Sequence, residues 1–200
     1  MRLPAVFLSF AMAACLAAPV AHAVDDLPQR LDQAKLAYAQ GNLTLTADLL
    51  QQALTGLYDR LAKGLAPLMP KPPNGWEASQ VDFDSLGVVG GGLTVSRGYA
   101  KGDAVMNATL ILDNPAALAA SDLGVDPKTV AGLPGVQVVK IGGQDAILRW
   151  EPEGRAGGVV MTLGDRVLLQ VDGSDISGPD MLVQLMKGWD FGGIRKQAGL

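Results

Sequence analysis

Two repeat lengths divide the chain. Over residues 27–66 apolar side chains recur at three- and four-residue steps, the period of an amphipathic helix. Leu27, Leu31, Ala34 and Tyr38 make one stripe, and Gly41-Asn42 interrupts it. Leu43, Ala47, Leu50, Leu54, Leu57, Leu61 and Leu65 make a second, with Asp48, Gln51, Gln52, Thr55, Asp59, Arg60 and Lys63 on the other side. The pattern predicts two antiparallel helices joined by a short turn. An amphipathic stripe ordinarily faces a core, so the leucine face is expected to lie on the rest of the protein.

Pro67-Leu68-Met69-Pro70-Lys71-Pro72-Pro73-Asn74-Gly75-Trp76 cannot continue a helix and predicts an extended, stiff linker pinned by Trp76. Beyond it the period falls to two. Leu93, Val95, Arg97 and Tyr99 alternate with smaller residues, Lys101-Gly102-Asp103 turns, and Met106, Ala108, Leu110 and Leu112 share the next strand face. Val136–Ile141 turns through Gly142-Gly143 into Ala146, Leu148 and Trp150. Val159, Met161 and Leu163 return through Gly164-Asp165 as Val167, Leu169 and Val171. Pro115–Leu123 reads as a short helix over the sheet.

Ser177-Gly178-Pro179-Asp180 resembles a capping box, followed by a helix face of Leu182, Leu185, Met186 and Trp189 that Gly192-Gly193 should end. The expected fold class is α+β: an N-terminal two-helix hairpin, then an antiparallel sheet of about six strands with a C-terminal helix. The expected organisation is a signal segment at 1–23, a hairpin at 24–66, a Pro-rich linker at 67–76 and an antiparallel α+β domain at 77–200.

The start of the chain changes what chemistry is open to it. Arg2, an uncharged apolar stretch from Leu3 to Ala18, and Ala21-His22-Ala23 before Val24-Asp25-Asp26 make the pattern of a cleavable secretory signal, cut between Ala23 and Val24. The alanine-rich style points to a bacterial periplasm. Cys15 as a lipidated N-terminus and a retained membrane anchor are the alternatives. The chain has one cysteine and one histidine, Cys15 and His22, and cleavage removes both. The remainder has no disulfide, thiolate nucleophile, imidazole base or Cys/His zinc site to draw on. The net charge of −4, without a basic cluster, argues against nucleic acid and anionic lipid as partners.

Individual motifs add little. Gly87–Gly92 precedes a strand rather than a helix and lacks the closing Lys-Ser/Thr of a phosphate loop. Asp172, Asp175 and Asp180 crowd a loop but lack calcium-loop spacing, and are expected to form turn bonds and a cap. Arg97, Arg149 and Arg166 lie on strands, as an anion-binding surface or as solubilising edge residues. Trp76, Arg97, Tyr99, Arg149 and Trp150 are the candidate ligand or partner surface. No catalytic residue, metal ligand or cofactor is assigned.

The hairpin is similar to one tetratricopeptide unit, through Ala37, Gly41-Asn42, Leu43, Thr46 and Ala53-Leu54, but occurs once, and solenoids need several repeats. The strand and helix order is similar to the Mog1/PsbP-like architecture. The signal, the hairpin, the linker ending in Gly75-Trp76, Gly90–Arg97, Gly142-Gly143-Gln144, Gly164–Val167 and Trp189-Asp190-Phe191 together resemble a group of small exported proteobacterial proteins. That resemblance implies a compartment and a layout, and no activity. The expectation is a non-enzymatic periplasmic binding or accessory protein of the cell envelope, whose partner is an envelope protein or a small apolar ligand. One alternative is a carboxylate-dependent envelope hydrolase, which requires a buried pair among Glu151, Glu153, Asp165 and Asp172 inside a cleft. The other is a lipoprotein tethered through Cys15.

Overall fold

The computed structural model describes residues 26–85, 91–115, 119, 130 and 132–200. The expected signal with its Ala23–Val24 boundary, Cys15, residues 86–90 of the glycine-rich stretch and most of Pro115–Leu123 lie outside those residues.

The alternating segments form one antiparallel sheet. Its strands are β1 (Glu77–Ala78), β2 (Asp82–Ser85), β3 (Leu93–Lys101), β4 (Ala104–Leu112), β5 (Val136–Ile141), β6 (Gln144–Glu151), β7 (Ala156–Leu163) and β8 (Val167–Ser174). The order across the sheet is β1-β3-β4-β8-β7-β6-β5, with β2 also on β3. The six predicted strands are present, and among the described residues the count is eight because β1 and β2 add a broken edge. Both pair with β3, and Ser79 between them bonds Gly98 through backbone and side chain. Asp82 and Asp84 on this edge guard it against pairing with other chains.

The register aligns the apolar alternation of each strand with that of its neighbour. Val95, Leu110, Leu169 and Met161 are consecutive partners across four strands, and each is fully buried. Gly142 and Gly143, at φ 58° and 82°, supply the left-handed pair that a two-residue β5–β6 turn needs.

Among the described residues four helices with defined bounds accompany the sheet: α1 (Leu27–Ala39), α2 (Leu43–Leu65), α3 (Asp180–Lys187) and α4 (Phe191–Ala198). Asn42 caps α2 by accepting from the Leu45 amide. Leu182, Leu185 and Met186 of α3, Trp189, and Ile194 and Ala198 of α4 share one core with the inner strand faces. A 3₁₀ turn at Ala66–Leu68 follows α2, Met69 and Trp76 are buried, and the Tyr99 hydroxyl donates to the Pro70 carbonyl at 2.6 Å. The proline run is thereby laid against the sheet.

Three local expectations are corrected. Gly192-Gly193 does not end the C-terminal helical region. Asp190 starts a further helix there, its carboxylate accepting from the Gly193 amide at 2.9 Å, and burial of Ile194 and Ala198 holds it down. The Ser177–Asp180 capping box does not form: Pro179 occupies the cap without a side-chain bond, and the Ser177 hydroxyl donates to Met181 sulfur. The leucine face of α2 does not lie on the protein along its length. Leu65 is buried and Leu61 half-buried, but Leu43, Leu50, Leu54 and Leu57 are 65%, 49%, 37% and 41% exposed. The sheet extends only under the last turns of α2. Thr46 and Ala53 are buried instead, on the helix line nearer Ala34 and Ala37 of α1.

Candidate functional site

Strand alternation gives the sheet a second face, opposite α3 and α4. A groove of about 750 Å³ lies on it. Ile111 of β4, Ile147 of β6, Val160 of β7 and Leu168 of β8 line its apolar part. Ile147 and Leu168 are buried although they point away from the helix-covered core, as is Val130 in the β4–β5 connection. Pro134, Gly135 and Val136 form the side where that connection enters β5.

The polar part is set by register. Arg149 of β6 lies opposite Gly158 of β7, which lies opposite Asp172 of β8. At the usual strand spacing the Arg149 and Asp172 backbones are about 10 Å apart, with a glycine between. A Cβ at Gly158 would stand 2.7 Å from an Asp172 carboxylate oxygen, so that carboxylate occupies the space the missing side chain leaves. Gln170 donates to Asp172 at 2.7 Å. Partial burial against the groove wall pushes the Asp172 carboxyl above its ordinary value, and the Gln170 bond pulls it partway back. Glu151 adds a second carboxylate at the groove margin.

The groove therefore has an apolar floor, one guanidinium, two carboxylates and one carboxamide. Its formal charge is negative. Such a site suits an amphipathic molecule whose polar end donates hydrogen bonds.

The five residues selected from sequence do not form one surface. Arg149 alone projects into the groove. Trp76 and Tyr99 are buried in the core on the other face. Burial pushes the Tyr99 hydroxyl up to about 12, against the pull of nearby Arg97. Arg97 shares the Tyr99 face, donates to the Ser79 carbonyl at 2.9 Å and sits 6.0 Å from the Tyr99 ring centre. Trp150 packs its side chain on the core and borders the groove from strand β6. Arg166 is elsewhere again. It forms a two-pronged pair with Asp113, both contacts at 2.7 Å, and donates to the Ala198 carbonyl, tying the β7–β8 turn to the end of α4.

The carboxylates do not pair. Glu151, Glu153, Asp165 and Asp172 are all exposed residues, and no buried pair forms among them. Among the described residues no three His, Cys, Asp or Glu side chains gather as a metal site, and no helix is long and apolar enough to cross a membrane.

Sequence reading missed Ile147, Leu168 and Gln170. The available signal was a break in alternation. Ala146-Ile147-Leu148 and Val167-Leu168-Leu169 are unbroken apolar runs inside otherwise alternating strands, which marks places where both sheet faces are covered. Comparison with protein families, with curated proteins and with solved structures gave no match to this chain.

Proposed function

We propose that this chain is a non-enzymatic binding protein of the bacterial cell envelope, exported to the periplasm, that holds a small amphipathic molecule in the groove. The observation that carries the reading is the groove itself. Its volume is within the range of small-molecule sites, and a few convergent polar groups stand over an apolar floor, the usual composition of such sites. The export pattern at residues 1–23 supports the compartment. The resemblance to small exported proteobacterial proteins supports the same layout.

The apolar body of the ligand would rest on Ile147, Val160 and Leu168. Its donor end would meet Asp172 and Gln170, with Arg149 beside them. The test is an NMR titration with three matched medium-chain probes: an alkyl amine, an alcohol and a carboxylate. The expected result is saturable shifts at Ile147, Val160, Leu168 and Asp172 with the amine and the alcohol, and weaker ones with the carboxylate. Absence of groove shifts with all three probes overturns the reading.

A further inference from the structure

Helix α2 meets the rest of the chain along two lines. Thr46 and Ala53 are buried on the line nearer α1, and Tyr58, Ala62 and Leu65 in the common core. Between them runs a third line of Leu43, Ala47, Leu50, Leu54, Leu57 and Leu61, spaced four, three, four, three and four residues apart. That is the 3.5-residue repeat by which one helix packs lengthwise on another. All of its members before Leu61 are exposed. Leu31 and Tyr38 of α1, 47% and 67% exposed, fall on the same flank of the hairpin, given the handedness of two antiparallel helices meeting through Ala34, Ala37, Thr46 and Ala53.

From these features we propose that the chain pairs with a second copy of itself through the α2 heptad line, two hairpins closing into a four-helix arrangement. Area supports this occupant. The flank exposes on the order of 600 Å² of largely apolar surface, at the upper end of what a monomer leaves in one patch. Two copies meeting there remove about 1,200 Å², where specific interfaces begin. Charge supports it too. None of the six positions on the line is charged, so a two-fold pairing opposes no like charges. An anionic lipid surface fits less well, because the polar side of α2 balances Asp48 and Asp59 against Arg60 and Lys63 instead of being basic.

The experiment is sedimentation velocity on the chain purified as cells produce it, over a concentration series, with circular dichroism on each variant. Wild type should sediment as a dimer at micromolar concentration. Leu50→Glu combined with Leu54→Glu should keep its helicity and weaken dimerisation more than about 100-fold. Leu45→Glu is the control: Leu45 is 44% exposed but off the heptad line, and its replacement should leave the dimer intact. Concentration-dependent methyl shifts at Leu43, Leu50 and Leu54 of the wild type locate the contact without any substitution. A wild-type monomer throughout the series overturns the proposal, as does a dimer that survives the double change. A monomer whose Leu50 and Leu54 methyls respond to lipid vesicles also overturns it and assigns the flank to lipid.

Discussion

On β8, Val167, Leu169 and Val171 face the helices and are fully buried, while Leu168, Gln170 and Asp172, one residue out of step, face the groove. The same eight residues therefore serve two environments. The helix face sets apolar partner against apolar partner through its centre, from Val95 of β3 across Leu110 and Leu169 to Met161 of β7. The groove face mixes Ile147 and Leu168 with Arg149, Gln170 and Asp172, and accepts a glycine where a side chain would fill space. Identical backbone pairing supports both, so the contrast separates what holds the sheet together from what it displays.

The contrast breaks most directly at its most buried row. Leu169→Ala should cost roughly 2–5 kcal/mol in chemical denaturation, the range for emptying a packed leucine site. A loss below about 1 kcal/mol would mean that the helix face is not the stabilising one. Gly158→Val fills the space that Asp172 uses. It should cost about 1–3 kcal/mol and abolish the groove shifts produced by the alkyl amine, measured on the same sample. Retained amine shifts would detach the groove from Gly158. Gln170→Ala should change stability by no more than about 0.5 kcal/mol, since the half-buried side chain lies outside the core, while weakening the amine response.

The smallest effect is in pH. The Asp172 carboxyl titrates above its ordinary value of 3.8 in the folded chain, so the folded state holds that proton more tightly than the unfolded state. Stability contributed by this group is fully present below the unfolded value and declines as pH rises through the folded one. Asp172→Asn should flatten that decline, and a carboxyl-carbon NMR titration of wild type should place the midpoint above 3.8. A midpoint at or below 3.8 would show that loss of solvent does not outweigh the Gln170 bond at Asp172.

The helix face was legible because alternation is a local signal. Met106, Ala108, Leu110 and Leu112, and Val159, Met161 and Leu163, can be assigned inward from spacing alone. β1 and β2 were not legible: two and four residues are too few to show a period, and Asp82-Phe83-Asp84-Ser85 has no buried member. α4 was hidden by Gly192-Gly193, since an Asp190 cap and tertiary burial of Ile194 outweigh poor helix propensity. The α2 stripe could be read, but whether the chain itself covers it depends on how far the sheet reaches, which no helix periodicity records. At the groove, Arg149 was selected and Asp172 weighed only as a carboxylate, because the site arises from strands brought side by side and not from a spacing along one segment.

Strand order also sets a timetable. β8 is the last strand to be synthesised, yet it lies between β4 and β7 near the middle of the sheet. Until it arrives, the β3–β4 hairpin and the β5–β6–β7 meander have no pairing with one another, and Leu110 and Met161 lack the Leu169 that lies between them. Contacts of such sequence separation form slowly, and unpaired strand edges invite association with other chains. The sheet therefore closes only when β8 is in place, and its two partial sheets stay open to mispairing until then.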